Sequence, residues 1–153
     1  MPMREGKQIR MKRIVAVIIT IAGLVISSTA GASTFFFGGP VESGFNNAGI
    51  EFKVKFRHRH PRKILRLDYH NIPATDGAQT CYVSDASAVE WRVNREGRFH
   101  ATETIHNRIV HVTGRFRHHN RKIVGTLRVR GPIPGGCPNG DTGTLDYVAR
   151  KGG

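Results

Sequence analysis

Ile50, Phe52, Val54 and Phe56 alternate with Glu51, Lys53, Lys55 and Arg57. That period of two predicts a half-buried strand, apolar face on the core and charged face in water. The pattern halts at RHRHPRK, residues 57–63, where Pro61 cannot donate to a ladder, and resumes at KILRLDY. RHRHPRK therefore reads as the turn between two antiparallel strands. TCYV (80–83), AVEWRV (88–93), FHATETIH (99–106), RIVHVTGRF (108–116), IVGTLRVRG (123–131) and TLDYVAR (144–150) read as further short strands. NREGR, RHHNRK and the long loop PIPGGCPNGDTG punctuate them. Helix signals are nearly absent. The expected fold is all-β, an antiparallel β-sandwich or barrel-like sandwich of about 7–8 strands. Its core is expected to hold Phe52, Val54, Phe56, Ile64, Leu67, Val89, Trp91, Val93, Phe99, Val110, Val112, Phe116, Leu127 and Val129.

The first residues follow a different pattern. Arg4, Lys7, Arg10, Lys12 and Arg13 precede the apolar run IVAVIITIAGLVI and the small-residue stretch SSTAGA. A basic flank, an apolar core and an A-x-A site make a secretory signal peptide, with cleavage expected between Ala32 and Ser33. The alternative is an uncleaved anchor, since the uncharged run from Ile14 to Phe37 is long enough to span a membrane. Either way the remainder is expected outside the cytoplasm, secreted or in the cell envelope. The organisation is then leader 1–32, a flexible N-terminal segment 33–49, a β-sandwich domain 50–150 and a tail 151–153. Export also bears on Cys81 and Cys137, the two cysteines of the chain. An even count in an oxidising compartment predicts a disulfide, stabilising by about 4 kcal/mol.

Charge narrows the partners. The chain carries 24 Lys and Arg against 11 Asp and Glu, a formal +13. Loss of the leader removes five cations and one carboxylate and leaves +9. Lys53, Lys55 and Arg57 face solvent on the strand entering RHRHPRK; Arg59, Arg62 and Lys63 lie in it, with His58 and His60; Arg66 follows. A second basic turn runs from Arg115 to Lys122. Such strips neutralise phosphates, sulfates or carboxylates with salt-sensitive affinity. An anionic polymer or an anionic lipid surface is the expected partner. Most Phe positions point inward, so base stacking and sequence-specific nucleic-acid binding are not expected. Plain solubility and protection of strand edges is the competing explanation of the charge.

VHVTGRF, VGTLRVRG and CPNGDTGTLDYVAR together resemble small exported bacterial β-sandwich proteins of unassigned function. The matching positions are Cys137, Asp141, Thr142, Gly143, Tyr147, Ala149 and Arg150, with Gly125, Thr126 and Leu127 before them. The resemblance implies export and a sandwich fold, ties Cys137 to Cys81, and makes Asp-Thr-Gly a structural turn. It implies no reaction.

Catalytic signals are sparse. No G-x-S-x-G elbow, phosphate loop or dinucleotide fingerprint occurs. Ser84, Asp85 and Ser87 read as a turn. Asn139 and Asp141 could present oxygens to calcium, but the later acidic ligand is missing. A small hydrolase would most plausibly use Asp68, His70 or His111. A metal-binding protein would use His58 and His60, joined by His118 and His119 if the two basic turns share one end. The leading expectation is a non-enzymatic binding module without cofactor or metal, in contact with an anionic envelope or extracellular polymer.

Overall fold

The computed structural model describes residues 31–152. Nine strands follow in chain order: β1 (Ser33–Pro40), β2 (Gly49–Arg57), β3 (His60–Asp76), β4 (Gln79–Arg92), β5 (Arg98–Ile105), β6 (Arg108–Arg117), β7 (Lys122–Ile133), β8 (Cys137–Asp141) and β9 (Leu145–Lys151). They form one antiparallel sheet in the order β4-β3-β2-β1-β9-β7-β6-β5, and β8 bridges β3 and β7. The sheet rolls until its outer strands meet. Trp91 of β4 stacks on Phe99 of β5 with ring centroids 6.5 Å apart.

Alternation is what drives this closure. Ile50, Phe52, Val54 and Phe56 of β2 are all buried, as are Arg108, Val110, Val112, Gly114 and Phe116 of β6. Inside, Phe37, Phe52, Phe56, Phe99, Phe116 and Tyr147 interlock, with centroids 5.3–6.2 Å apart. Each such ring contributes about 1.5–3 kcal/mol by leaving water. The barrel interior is therefore a packed core. Tight rolling needs a crease, and Gly114 lies opposite Gly125 in the β6–β7 register. A Cβ on Gly125 would collide with the Thr113 carbonyl oxygen, and one on Gly114 with the Phe99 ring. Tyr147, opposite Gly125, fills the crease and donates its hydroxyl to the Thr113 carbonyl at 2.6 Å.

Several expectations are corrected. The segment 33–49 is not a flexible lead-in. Its first half is β1, held between β2 and β9, with Phe37 fully buried. Serine, threonine and glycine around FFF hid a strand whose Phe35 and Phe37 turn toward the core while Phe36 turns out. The tail begins later than expected, because Lys151 belongs to β9 and seats its ammonium 3.2 Å from the Phe35 ring centre. The separate strands expected at 80–83 and 88–93 are one strand, β4, and Asp85 and Ser87 sit on its inward side rather than in a turn. Val89 is only half-buried. RHRHPRK is mostly strand: Arg57 pairs with His60, so the turn is His58 and Arg59 alone. Pro61 is accommodated beside a register shift opposite Phe56, where a regular donor is not required. The expected leader falls on residues 1–30, outside the described residues, apart from exposed Gly31 and Ala32 ahead of Ser33.

Cys81 and Cys137 form a disulfide, with Cα atoms 6.3 Å apart. It ties β4 to β8 at one end of the barrel.

Candidate functional site

Left-handed non-glycine residues occur in turns at both ends of the barrel, at His106 and Asn107 between β5 and β6 as well as in the basic turns. At one end lie the turn His58-Arg59, the connection from Val93 to Gly97, and the turn from His118 to Arg121. His58, Arg59, His118, His119 and Asn120 all have positive φ, between 50° and 64°. Two consecutive left-handed residues give a hairpin the twist its strands require. This conformation costs energy for residues other than glycine. It also throws the side chains outward. The Asn120 side-chain amide donates to the Arg59 carbonyl at 3.2 Å, so the two basic turns meet. A hollow of about 390 Å³ lies beside them, lined by His60, Arg62, Arg95, Glu96 and Asn120 among others. Through Asn94 it adjoins a second hollow of about 450 Å³, where Arg92, Arg98 and Arg115 converge with His100 and Thr113.

Sequence reasoning placed the site on one hairpin. The structure keeps that hairpin but redistributes its charge. Lys53 faces Arg66 across β2 and β3, and Lys55 faces Lys63. Opposed like charges destabilise a sheet, and carboxylates relieve part of the strain. Asp68 accepts from Arg66 Nε at 2.8 and 2.9 Å, and Glu90 accepts from Lys63. The Arg66 hydrogen bond raises the guanidinium pKa, and the Lys63 hydrogen bond lowers that of Glu90. Lys53 is half-buried and lies over the exposed Phe36 ring at 5.8 Å. Arg57, Arg59 and Arg62 are exposed, and no carboxylate among the described residues is in salt-bridge contact with them. Arg95, Arg117 and Arg121 are likewise exposed, Arg115 is half-buried, and none of the four is in salt-bridge contact with a carboxylate among the described residues. Arg92, Arg95 and Arg98 were missed from sequence. The signal for Arg95 and Arg98 was the NREGR turn, which lies between two strands that end at the same place as RHRHPRK; Arg92 precedes it on β4.

Toward the opposite end the chain itself uses the carboxylates of Asp76, Asp85 and Asp141. Asp85 accepts from Arg108 Nη2 at 2.6 Å and lies 2.9 Å from His106 Nδ1, bridging β4 to the β5–β6 turn. Burial pushes its carboxyl up, but hydrogen bonds from His106, Arg108 and the Ala86 amide hold it below the usual range. The Tyr69 hydroxyl is pushed up to about 12 by burial and by nearby Asp85. Asp141 accepts from Arg128 at 3.0 and 2.6 Å and from the Gly143 amide at 2.9 Å. Its pKa is lowered, chiefly by the Arg128 hydrogen bond. Occupied this way, Asp141 closes a turn, and its arginine repels a cation.

Of the expected hydrolase residues, Asp68 and His70 share the outward face of β3, on either side of buried Tyr69, while His111 lies on β6. Asp68 is engaged by Arg66, the His70 ring lies across Gly49, and His111 bonds Thr102 Oγ1 on the far side of the sheet at 2.8 Å. Among the described residues there is no group of three or more His, Cys, Asp or Glu side chains arranged to hold a metal. Inward-looking prediction also missed exposed aromatics: Phe36, Phe45 and Tyr82 are all about half exposed. Compared with protein families, curated proteins and solved structures, the chain gives no match.

Proposed function

We propose that this chain is an exported, non-enzymatic binding module whose basic end holds an anionic envelope or extracellular polymer. The observation that carries the reading is the junction of the two basic turns through Asn120 and Arg59. It merges RHRHPRK with RHHNRK into one surface, and the Arg92–Arg98–Arg115 hollow extends it down one side. Arg98 is paired with Glu96 at 3.3 Å, but Arg57, Arg59, Arg62, Arg95, Arg117 and Arg121 have no carboxylate contact among the described residues, and clustered cations of that kind attract polyanions and speed their encounter. The leader-like N-terminus and the disulfide support an extracytoplasmic setting. His58, His60, His118 and His119 share this end and add ring nitrogens to its surface.

The test is titration of the mature domain with heparin and with polyphosphate across a salt series. A variant carrying Arg57, Arg59, Arg62, Arg117 and Arg121 as serine is compared. Wild type should lose affinity steeply with salt, and the variant should lower the log–log slope by about four, near one unit per lost contact. Equal slopes, or no binding by wild type at low salt, would refute the reading. Phosphatidylglycerol vesicles serve as a parallel arm: capture by vesicles alone would replace the polymer with a lipid surface.

A further inference from the structure

The end opposite the basic turns carries a patch of different chemistry. Between β1 and β2 the chain does not turn tightly but makes an excursion, Val41 to Ala48. Its base is closed by Val41 N to Ala48 O at 3.1 Å, and its tip by Phe45 N to Ser43 Oγ at 3.3 Å and Ala48 N to Phe45 O at 3.3 Å. The loop thus holds Phe45 out of the core, 46% exposed. Tyr82 of β4, 51% exposed, meets it edge to face with centroids 5.5 Å apart. Beside the two rings stand Asn46, Asn47 and Asn71, and the five side chains line a hollow of about 350 Å³. Asn71 sits at a register irregularity of β3 with φ of 53°. Its amide N–H is taken by Ser84 Oγ at 2.9 Å, and its side-chain nitrogen lies 3.5 Å from the Asn47 carbonyl. A strained, hydrogen-bonded residue is thereby fixed with its amide toward the loop.

The same three asparagines form one wall of a neighbouring hollow of about 500 Å³, whose other walls include Gly39, Pro40, Glu51 and His70. No Lys or Arg lines either hollow, in a chain with 24 of them. With Glu51 as the sole charged acid present, the surface disfavours anions.

We infer that these adjoining hollows bind an uncharged oligosaccharide, one sugar ring against Phe45 and Tyr82 and the next beyond the asparagine ridge. A pyranose is amphipathic in the matching way. Its C–H face suits the electron-rich face of an aromatic ring. Its hydroxyls both donate and accept, as do asparagine amides, which offer two donors and a carbonyl acceptor each. The first hollow falls in the size range of small-ligand sites, about 300–1,000 Å³. This inference is independent of the polyanion reading.

The probes are hexasaccharides of β-1,4-glucose, β-1,4-N-acetylglucosamine, α-1,4-glucose and β-1,4-mannose. Calorimetry is run in about 1 M salt, where charge is screened beyond about 3 Å. At least one should bind with a millimolar or lower Kd. Tyr82→Ala and Asn71→Gly should each weaken it about tenfold or more, the glycine preserving the left-handed backbone. The five-arginine variant should bind it like wild type. No binding of any hexasaccharide at about 10 mM, or binding indifferent to both substitutions, would overturn the inference. So would Tyr82-dependent capture by phosphatidylcholine vesicles without sugar binding, which would make the aromatic pair a membrane contact.

Discussion

At the end of the barrel where β8 lies, three aspartates are engaged internally. Asp85 holds Arg108 and His106, Asp141 holds Arg128, Asp76 takes the Asn139 amide at 2.8 Å, and the disulfide joins β4 to β8. At the other end, Arg57, Arg59, Arg62, Arg95, Arg117 and Arg121 face water with no carboxylate of the described chain in contact. One end spends its aspartates on closing the fold, and the other leaves most of its arginines unneutralised. The contrast teaches that net charge is a poor guide to this molecule. What matters is which cations the chain has already neutralised.

That division can be broken from either side. The largest effect is expected at the clamped end. Replacing Cys81 and Cys137 by serine should lower stability by about 4 kcal/mol. Hydrogen exchange should show β8 and the distal β3–β4 hairpin opening first, while polyanion affinity at a temperature where the variant is folded stays within twofold. A parallel loss of affinity would show that the two ends are not separable. Next, Arg108→Ala leaves Asp85 buried without its main partner and should cost about 3 kcal/mol in denaturant unfolding. Acid sharpens the comparison further. Asp85 and Asp141 have depressed pKa values in the fold, so their stabilisation is complete above the unfolded value of about 3.9 and is lost as pH falls through the folded ones. Between about pH 5 and 2, amide protection factors, which remove the intrinsic pH dependence of exchange, should therefore fall around β8 before they do around His58 and His118. The smallest expected effect on stability is at the basic end: the five-arginine variant should keep the wild-type unfolding midpoint while losing polyanion binding. A large fall in midpoint would make those arginines structural.

Where a strand alternated cleanly, as in Ile50 to Phe56, the sequence was enough to place both faces and the core contacts. Phe52, Trp91, Phe99 and Phe116 are buried as their spacing implied. The pairing of Cys81 with Cys137 was equally legible. β1 was not, because FFF alternates only once and merges with small residues that also suit a leader. Asp85 was misread because a short polar side chain is as common in turns as at a buried strand seam, and only the arrival of Arg108 across the seam distinguishes them. For the site, local charge was visible but convergence was not. RHRHPRK and RHHNRK are far apart in the chain, and their contact depends on the closure of the sheet. The Phe45–Tyr82 pair was hidden for the converse reason: an aromatic residue in sequence is normally a core residue, and exposure is decided by the loop that carries it.

The left-handed turns have one further consequence. Glycine, or asparagine followed by glycine, relieves the backbone strain at positions such as His58-Arg59 and His118-His119. A selection experiment that rewards heat resistance alone should drift toward those residues. Each step would make the protein hardier and erase part of the surface it presents. At the basic end such improvement removes side chains that the chain has kept against the backbone's preference.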